Sequence, residues 1–179
     1  QMLSEAVLKK QGKAVPTMED SVEIDLQVDA YIPATYIQDE RQKIEMYKRI
    51  RSIDSMETYH ELLDDFIDRF GEFPDEVSYL LEVGMLKYFA EKLSITSIKR
   101  SQNSIVVSIA QPVAQRLEGV AIFEALGPVK LPAQVTKKGT TLQVLLNVTN
   151  QPTDLWLEQI KIFLEKCCEV VEAQKEENE

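Results

Sequence analysis

Acidic side chains are concentrated between residues 54 and 76, where nine acids face one arginine. Four of them recur three or four residues apart and so share one face of a predicted helix: Glu61, Asp64, Asp65 and Asp68. His60 adjoins this face, and carboxylates beside a histidine are residue types that acid–base hydrolysis uses. Asp64 and Asp65 are adjacent in sequence, however, so their side chains diverge on a helix, and no nucleophile motif accompanies them. A small hydrolase at His60, Asp64 and Asp65 is therefore the least favoured function, and an ordinary solvated acidic face is the simplest alternative.

Motifs for other chemistry are absent from the sequence. Gly12-Lys13 lacks the upstream glycine and the following serine or threonine of a phosphate-binding loop, and no GxGxxG, HExxH or GxSxG motif occurs. Cys167 and Cys168 are the two cysteines, and as helical neighbours they point about 100° apart. With one histidine in the chain they predict neither a disulfide framework nor a zinc site, and buried filler is favoured over redox chemistry. We expect this fragment to be no enzyme and to bind no cofactor or metal.

Composition and charge narrow the class of partner. A chain of 179 residues with 44% hydrophobic and 28% charged residues is typical of one globular domain with an appendage. The net charge of −10 argues against a protein that coats nucleic acid, and direct DNA contact is not expected. From Lys99 to Lys138, however, six bases face two acids. A nucleic-acid-contacting module in this region is the alternative function, and it would use Lys99, Arg100, Lys130, Lys137 and Lys138. No apolar run is long enough to cross a membrane and no signal peptide is present, so we expect a cytoplasmic protein without a membrane partner.

The helix that carries the acids has clear boundaries. A capping box of Asp54 and Glu57 predicts its start, and Gly71 its end. Its apolar face consists of Tyr59, Leu62, Leu63, Phe66, Ile67 and Phe70. Asp65 and Asp68 lie in the last turns, where the negative end of the helix dipole disfavours an acid by a few tenths of a kcal/mol. Residues that contradict a local preference indicate a binding or functional reason.

Neighbouring stretches predict two more helices before the middle of the chain. Asp39 caps a helix that ends near Arg51, with Lys48 and Arg49 in its last turn. Pro74–Leu93 is apolar almost all round, which is typical of a central buried helix.

Strand patterns predict the class of fold. Glu23–Ile32 alternates strictly between polar and apolar residues, and Pro33 ends the alternation. Two hairpins follow, one pairing residues 95–100 with 104–110 and one pairing 134–137 with 140–148. Because helices segregate from hairpins, we expect an α+β domain with helices packed on an antiparallel sheet of successive hairpins.

The rest of the chain completes the domain plan. Pro112 is predicted to start a helix that runs to Leu126, and Thr153 to cap a last helix whose acidic tail frays from Glu165. Residues 1–20 are predicted to be a linker helix over Met2–Lys10 followed by a linker, with residues 21–179 as the single α+β domain.

Two stretches resemble signatures of one family. The first begins with Asp29–Pro33 (DAYIP) and continues with Tyr36-Ile37 and Tyr47–Ile50 (YKRI). The second is Ile67–Pro74 (IDRFGEFP), followed by Leu80-Leu81. Both are similar to the C-terminal domain of bacterial transcription-repair coupling factor (Mfd).

The resemblance has a limited range. It is strong over Glu23–Leu93 and rests on element order alone from Ile95 onward. Asp65-Phe66 stands where the family has Glu-Leu. Residues 2–6 look like the final helix that leaves the family's motor.

The resemblance implies a regulatory role without catalysis in this fragment. The family's full-length protein is an ATP-driven DNA translocase that removes stalled RNA polymerase and recruits the excision-repair protein UvrA, with ATP and Mg bound by the upstream motor. Its C-terminal domain is expected to pack on an N-terminal UvrB-like module of the same polypeptide, to mask UvrA binding and to restrain the motor. By motif position, the resemblance implies that Asp65 and Asp68 face basic side chains of that module, with UvrA and RNA polymerase as indirect partners. The full set of predicted contact residues on this helix is Glu61, Asp64, Asp65, Asp68 and Arg69.

Overall fold

A computed structural model of the chain describes the backbone of residues 22–177. The predicted helix Met2–Lys10 and the linker after it lie outside the described residues. The helices are α1 (Glu40–Arg51), α2 (Met56–Phe70), α3 (Asp75–Lys92), α4 (Val113–Leu117), α5 (Val120–Leu126) and α6 (Thr153–Glu177). The strands are β1 (Glu23–Asp25), β2 (Ile95–Ser101), β3 (Ser104–Ile109), β4 (Ala133–Lys138) and β5 (Thr141–Asn147). The expected α+β class is confirmed.

The sheet is mixed and not purely antiparallel. Its five strands lie in the order β1-β2-β3-β5-β4, and the two predicted hairpins supply the four antiparallel neighbours. β1 instead runs parallel to β2, with Ile24 opposite Ile98. A hairpin cannot make a parallel pair, so this neighbour is reached only through a long crossover. Here the crossover contains α1, α2 and α3.

The predicted strand Glu23–Ile32 is wrong beyond Asp25. Gln27 adopts a left-handed backbone with φ 57°, which breaks the extended conformation. The Ala30 N–H then turns back to the Val28 carbonyl (3.0 Å), and the Ile32 N–H donates to the Tyr47 hydroxyl (2.8 Å). Alternating burial therefore continues in an irregular segment whose backbone donors find partners outside a sheet.

Side-chain caps begin α1 and α2, and the cap of α2 lies one residue after the predicted position. The Asp39 carboxylate accepts from the backbone N–H groups of Arg41 and Gln42, so the predicted cap of α1 is confirmed. The predicted capping box of Asp54 and Glu57 is wrong, because Ser55 and Thr58 form it instead. The Ser55 hydroxyl accepts from the Thr58 N–H, and the Thr58 hydroxyl accepts from the Ser55 N–H. This reciprocal pair is the capping-box pattern, placed one residue after the predicted position.

α3 is the buried central helix that its composition predicts. Seven of its residues are buried: Val77, Leu81, Gly84, Met85, Leu86, Phe89 and Ala90. Gly84 lets α1 approach closely, since a Cβ at this position would lie 2.9 Å from the Cγ2 of Ile50. On its other sides α3 packs against α6 and β2.

Two predictions for the C-terminal half need correction. The helix predicted from Pro112 to Leu126 is divided into α4 and α5 by Gly119, which has φ 74°. The tail does not fray from Glu165, because α6 continues to Glu177. Val170 and Val171 are buried on α6, and the Gln174 amide donates to the Arg116 carbonyl (2.8 Å).

Both cysteines lie on the buried side of α6. Burial raises the pKa of the Cys167 thiol, and it raises that of Cys168 to about 11. A thiol with a raised pKa holds little thiolate near neutral pH, so this environment supports the packing role over redox chemistry.

Candidate functional site

The acidic face of α2 divides into an exposed part and a paired part. Glu61, Asp64 and Asp68 are exposed, and among the residues the structure describes none of them forms an ion pair. We call these three residues the acidic stripe. Their spacing of three and four residues places them along one line of the helix surface. The acidic stripe is a continuous band of negative charge that faces solvent.

Asp65 differs from the acidic stripe, although the sequence predicted an equivalent role. Its carboxylate accepts a hydrogen bond from the Arg49 guanidinium of α1, and Arg69 lies 3.8 Å away. The side chains of Asp65 and Arg49 are each 36% exposed. The expectation that Asp65 is bare for a partner therefore needs correction, since its charge joins α2 to α1.

Arg69 is also engaged within the domain. Its guanidinium donates to both Glu45 carboxylate oxygens, at 3.0 and 3.4 Å, and lies 5.0 Å from the centre of the Phe70 ring. The hydrogen bond from Arg69 lowers the pKa of the Glu45 carboxyl and raises that of the guanidinium itself. Arg69 thus forms part of the bridge between α1 and α2, which leaves the acidic stripe as the open charge of this face.

Ile67 borders the acidic stripe on the side away from Arg69. The sequence placed Ile67 with the buried face, but its side chain is 47% exposed. At 100° per residue it lies between the buried face of α2 and the line of Asp64 and Asp68. An exposed apolar side chain beside three acids makes a mixed surface of the kind that docking contacts use. Sequence reasoning missed Ile67 because its spacing also fits the apolar face.

The end of α2 is held rigidly under this surface. Gly71 adopts φ 86°, and its N–H donates to the Ile67 carbonyl at 3.0 Å. The Tyr36 hydroxyl donates to the Gly71 carbonyl at 2.6 Å and lies 3.3 Å from the Phe66 carbonyl. The Ile67 and Gly71 carbonyls at this helix end therefore have donors, and Tyr36 of the segment before α1 is bonded to the last turn.

The start of α2 is anchored from the buried side. The Tyr59 hydroxyl donates to Glu82 of α3 (3.2 Å), and the Lys161 ammonium of α6 lies 3.2 Å from the same carboxylate. Burial raises the pKa of Tyr59, with the Glu82 charge as a second cause. Three helices thus meet at one polar cluster, and α2 presents the acidic stripe from a fixed scaffold.

The residues of the hydrolase alternative do not assemble as a catalytic group. His60 and Asp64 are exposed on α2, and the ring of His60 lies 5.4 Å from that of Tyr59. Asp65 is turned toward Arg49 instead. The three pockets described among residues 22–169 contain none of these three side chains in their walls. The geometry therefore gives this alternative no support.

The basic residues of the nucleic-acid alternative are dispersed. Lys99 pairs with Glu23 at 3.0 Å, and Lys137 pairs with Glu118. Arg100 donates to the Gln102 carbonyl at 2.9 Å, and its guanidinium lies 5.6 Å from the centre of the Trp156 ring. Strands β2 and β4 are separated by two other strands, so their bases lie roughly 14 Å apart at the usual strand spacing. These cations do not form one footprint.

The described helices include none that is long and apolar enough to span a bilayer. Within the same part of the chain, no group of three or more histidine, cysteine or acidic residues is arranged to hold a metal ion.

Comparison with known proteins identifies the family. Residues 26–120 match the TRCF domain family. Transcription-repair-coupling factor of Bacillus subtilis (strain 168) is 36% identical over 160 residues, covering 89% of this chain and 14% of that protein. The Staphylococcus aureus (strain USA300) protein of the same name is 35% identical over 170 residues, covering 94% of this chain and 14% of its own length.

A solved structure supports the same assignment. A crystal structure of the C-terminal domain of transcription-repair coupling factor superposes with a TM-score of 0.80 at 39% identity, covering 86% of this chain and 95% of that one. The chain spans a small part of the relatives that it matches in sequence, and that part corresponds to the domain solved separately. The chain therefore belongs to the transcription-repair coupling factor family and contains its C-terminal domain.

Proposed function

We propose that this domain is a non-catalytic regulatory module that makes a releasable contact within its own polypeptide. The partner is a basic surface on the N-terminal UvrB-like module, and the acidic stripe with Ile67 is the docking face. The contact covers the surface that UvrA uses and restrains an ATP-driven motor. Release follows when the full-length protein engages stalled RNA polymerase.

The observation that carries this proposal is the uncompensated charge of the acidic stripe. Asp64 and Asp68 are like charges four residues apart, and Asp68 lies in the last turn of α2. Both placements cost the isolated helix a few tenths of a kcal/mol. Asp65, on the same helix, has two arginines within the domain, whereas the acidic stripe has no described cation. A basic partner would compensate the three remaining charges.

The surface is suited to a contact that can be released. Exposed ion pairs contribute roughly 0.2–1 kcal/mol each, so three of them with one apolar anchor give a modest interaction. Coupling energies in switches are typically about 1–3 kcal/mol. A polar interface of this size within one chain is easier to open than an apolar one.

The test is charge reversal of the acidic stripe in the full-length protein. The variant E61K/D64K/D68K should raise basal ATPase activity and UvrA binding, because the restraining contact loses its charge complementarity. A matched control, E91K/E124K/E165K, changes net charge equally at exposed positions on α3, α5 and α6. Circular dichroism should show that both variants stay folded.

A second measurement addresses the contact itself. Pull-down of the separate UvrB-like module by this domain should weaken with rising NaCl and be lost with the acidic-stripe variant. If the folded variant keeps wild-type basal ATPase activity and module binding, the proposal is wrong.

A further inference from the structure

A second surface lies at the C-terminal end of α1, where β1, α1 and α3 line an open apolar pocket of about 240 Å³. Its walls come from Val22, Ile24, Ile50, Leu80, Val83 and Gly84, with Arg51 and Lys87 also in the lining. No residue of α2 contributes, so this pocket is separate from the acidic stripe. Sites for drug-sized ligands usually measure about 300–1,000 Å³, whereas an apolar cavity of about 150 Å³ holds benzene. The volume is therefore sufficient for one apolar side chain and is below the usual range for a drug-sized ligand.

The pocket adjoins the first strand of the described sheet. β1 is the first strand in the sheet order, and among the described residues it is paired only with β2. Ile24 of β1 lies in the pocket wall, so the apolar space adjoins the strand whose second edge has no partner among residues 22–177. An extended peptide that adds to a sheet edge places alternate side chains on the same face of the sheet. One such side chain would enter this pocket.

The two cations define the charge of an occupant. Arg51 is exposed and Lys87 is half-buried, and neither forms an ion pair with another described residue. The chain as a whole carries a net charge of −10, whereas the lining of this pocket contains two cations and no acid. Acidic side chains next to an apolar anchor match this lining.

We propose that this pocket binds an extended acidic segment of a partner protein by addition to the edge of β1 opposite β2. An aliphatic side chain of the segment fills the space between Ile24, Leu80 and Val83. Acidic residues two positions before and two positions after this anchor, on the same face of the added strand, pair with Arg51 and Lys87. Backbone hydrogen bonds to β1 hold the segment in an extended conformation.

The experiment uses the full chain and a defined probe, the hexapeptide acetyl-Thr-Glu-Thr-Leu-Thr-Glu-amide, whose leucine and two glutamates share one face of an extended strand. Its binding should shift the amide NMR signals of Val22, Ile24 and Gly84 and should weaken as NaCl rises. The variant R51E/K87E should bind about tenfold more weakly. The control K130E/K138E reverses two exposed cations, one before β4 and one on it, at the end of the sheet order opposite β1, and should bind as the wild type does.

Three outcomes would overturn the proposal. The first is absence of any shift at the β1 edge in the wild-type chain. The second is equal binding of the lysine-substituted peptide acetyl-Thr-Lys-Thr-Leu-Thr-Lys-amide, which would remove the role of Arg51 and Lys87. The third is self-association of the chain that R51E/K87E abolishes, since it would assign the pocket to a second copy.

Discussion

Arg49 of α1 and Asp65 of α2 form an ion pair that fastens the two helices beside the proposed docking face. Arg69 extends the bridge by contacting Asp65 at 3.8 Å and Glu45 at 3.0 Å. Glu45 and Arg49 lie on α1, and Asp65 and Arg69 lie on α2. Each carboxylate therefore pairs with an arginine of the other helix. Asp65 is therefore a structural residue of this domain, whereas Asp68 one turn away remains open to a partner.

Neutralising these two aspartates should have opposite effects on stability. Asp65→Asn should lower the free energy of unfolding by about 0.5–1 kcal/mol, because it removes a half-exposed ion pair. Asp68→Asn should be neutral or should raise it by about 0.3 kcal/mol, because an acid leaves the negative end of α2. Urea unfolding measures both, and Arg49→Gln completes a double-mutant cycle with Asp65→Asn. Equal losses from the two substitutions would contradict the assignment of Asp65 as the structural acid.

The close approach of α1 and α3 predicts a cost for any side chain at position 84. Gly84→Ala should destabilise the domain by about 1–3 kcal/mol, because the new Cβ would lie 2.9 Å from the Cγ2 of Ile50. Thermal or urea unfolding checks this, and Glu91→Ala at an exposed position of α3 is the control. In an Ile50→Ala background the cost of Gly84→Ala should shrink. A stabilisation of about 1 kcal/mol, as helix propensity alone predicts, would show that the contact is loose.

The bond between Arg69 and Glu45 predicts the direction of one pH effect. Because Arg69 holds the pKa of Glu45 below its ordinary value of 4.5, Glu45 contributes to stability above that pH. The contribution is lost as the pH falls through the lowered pKa. An NMR titration of the Glu45 carboxyl should give a midpoint below 4.5, and Arg69→Gln should move it upward. An unchanged midpoint in Arg69→Gln would exclude the hydrogen bond as the cause.

The last turns of α6 are predicted to be structural. Val170→Ala and Val171→Ala should each lower the free energy of unfolding by about 1.5 kcal/mol, because two buried methylene equivalents are removed from the core. Glu165→Ala, at an exposed position of the same helix, should change it by less than about 0.5 kcal/mol. Urea unfolding compares the three. If all three variants match the wild type, the tail contributes nothing to the fold.

Local signals in the sequence were sufficient for most helices and for both hairpins. Asp39 and Gly71 act at the ends where their chemistry predicts them. The alternation of residues 23–32 predicted a strand that is too long, because alternating hydrophobicity indicates which side chains are buried and not the backbone conformation. An irregular segment can bury every second residue as a strand does. The shift of the capping box to Ser55 shows that hydroxyl and carboxylate caps compete within one residue of each other.

The sequence by itself determined that α2 is amphipathic and acidic, because both properties depend on neighbours three and four residues apart. Only the tertiary structure decided which acids stay open. Arg49 meets Asp65 from sixteen residues away, and Ile67 is exposed because no neighbouring element covers that flank in the described part of the chain. The parallel pairing of β1 with β2 likewise joins residues 23–25 to residues 97–99. Partners so distant in sequence leave no periodic signal, since their contact exists only after the intervening helices have packed.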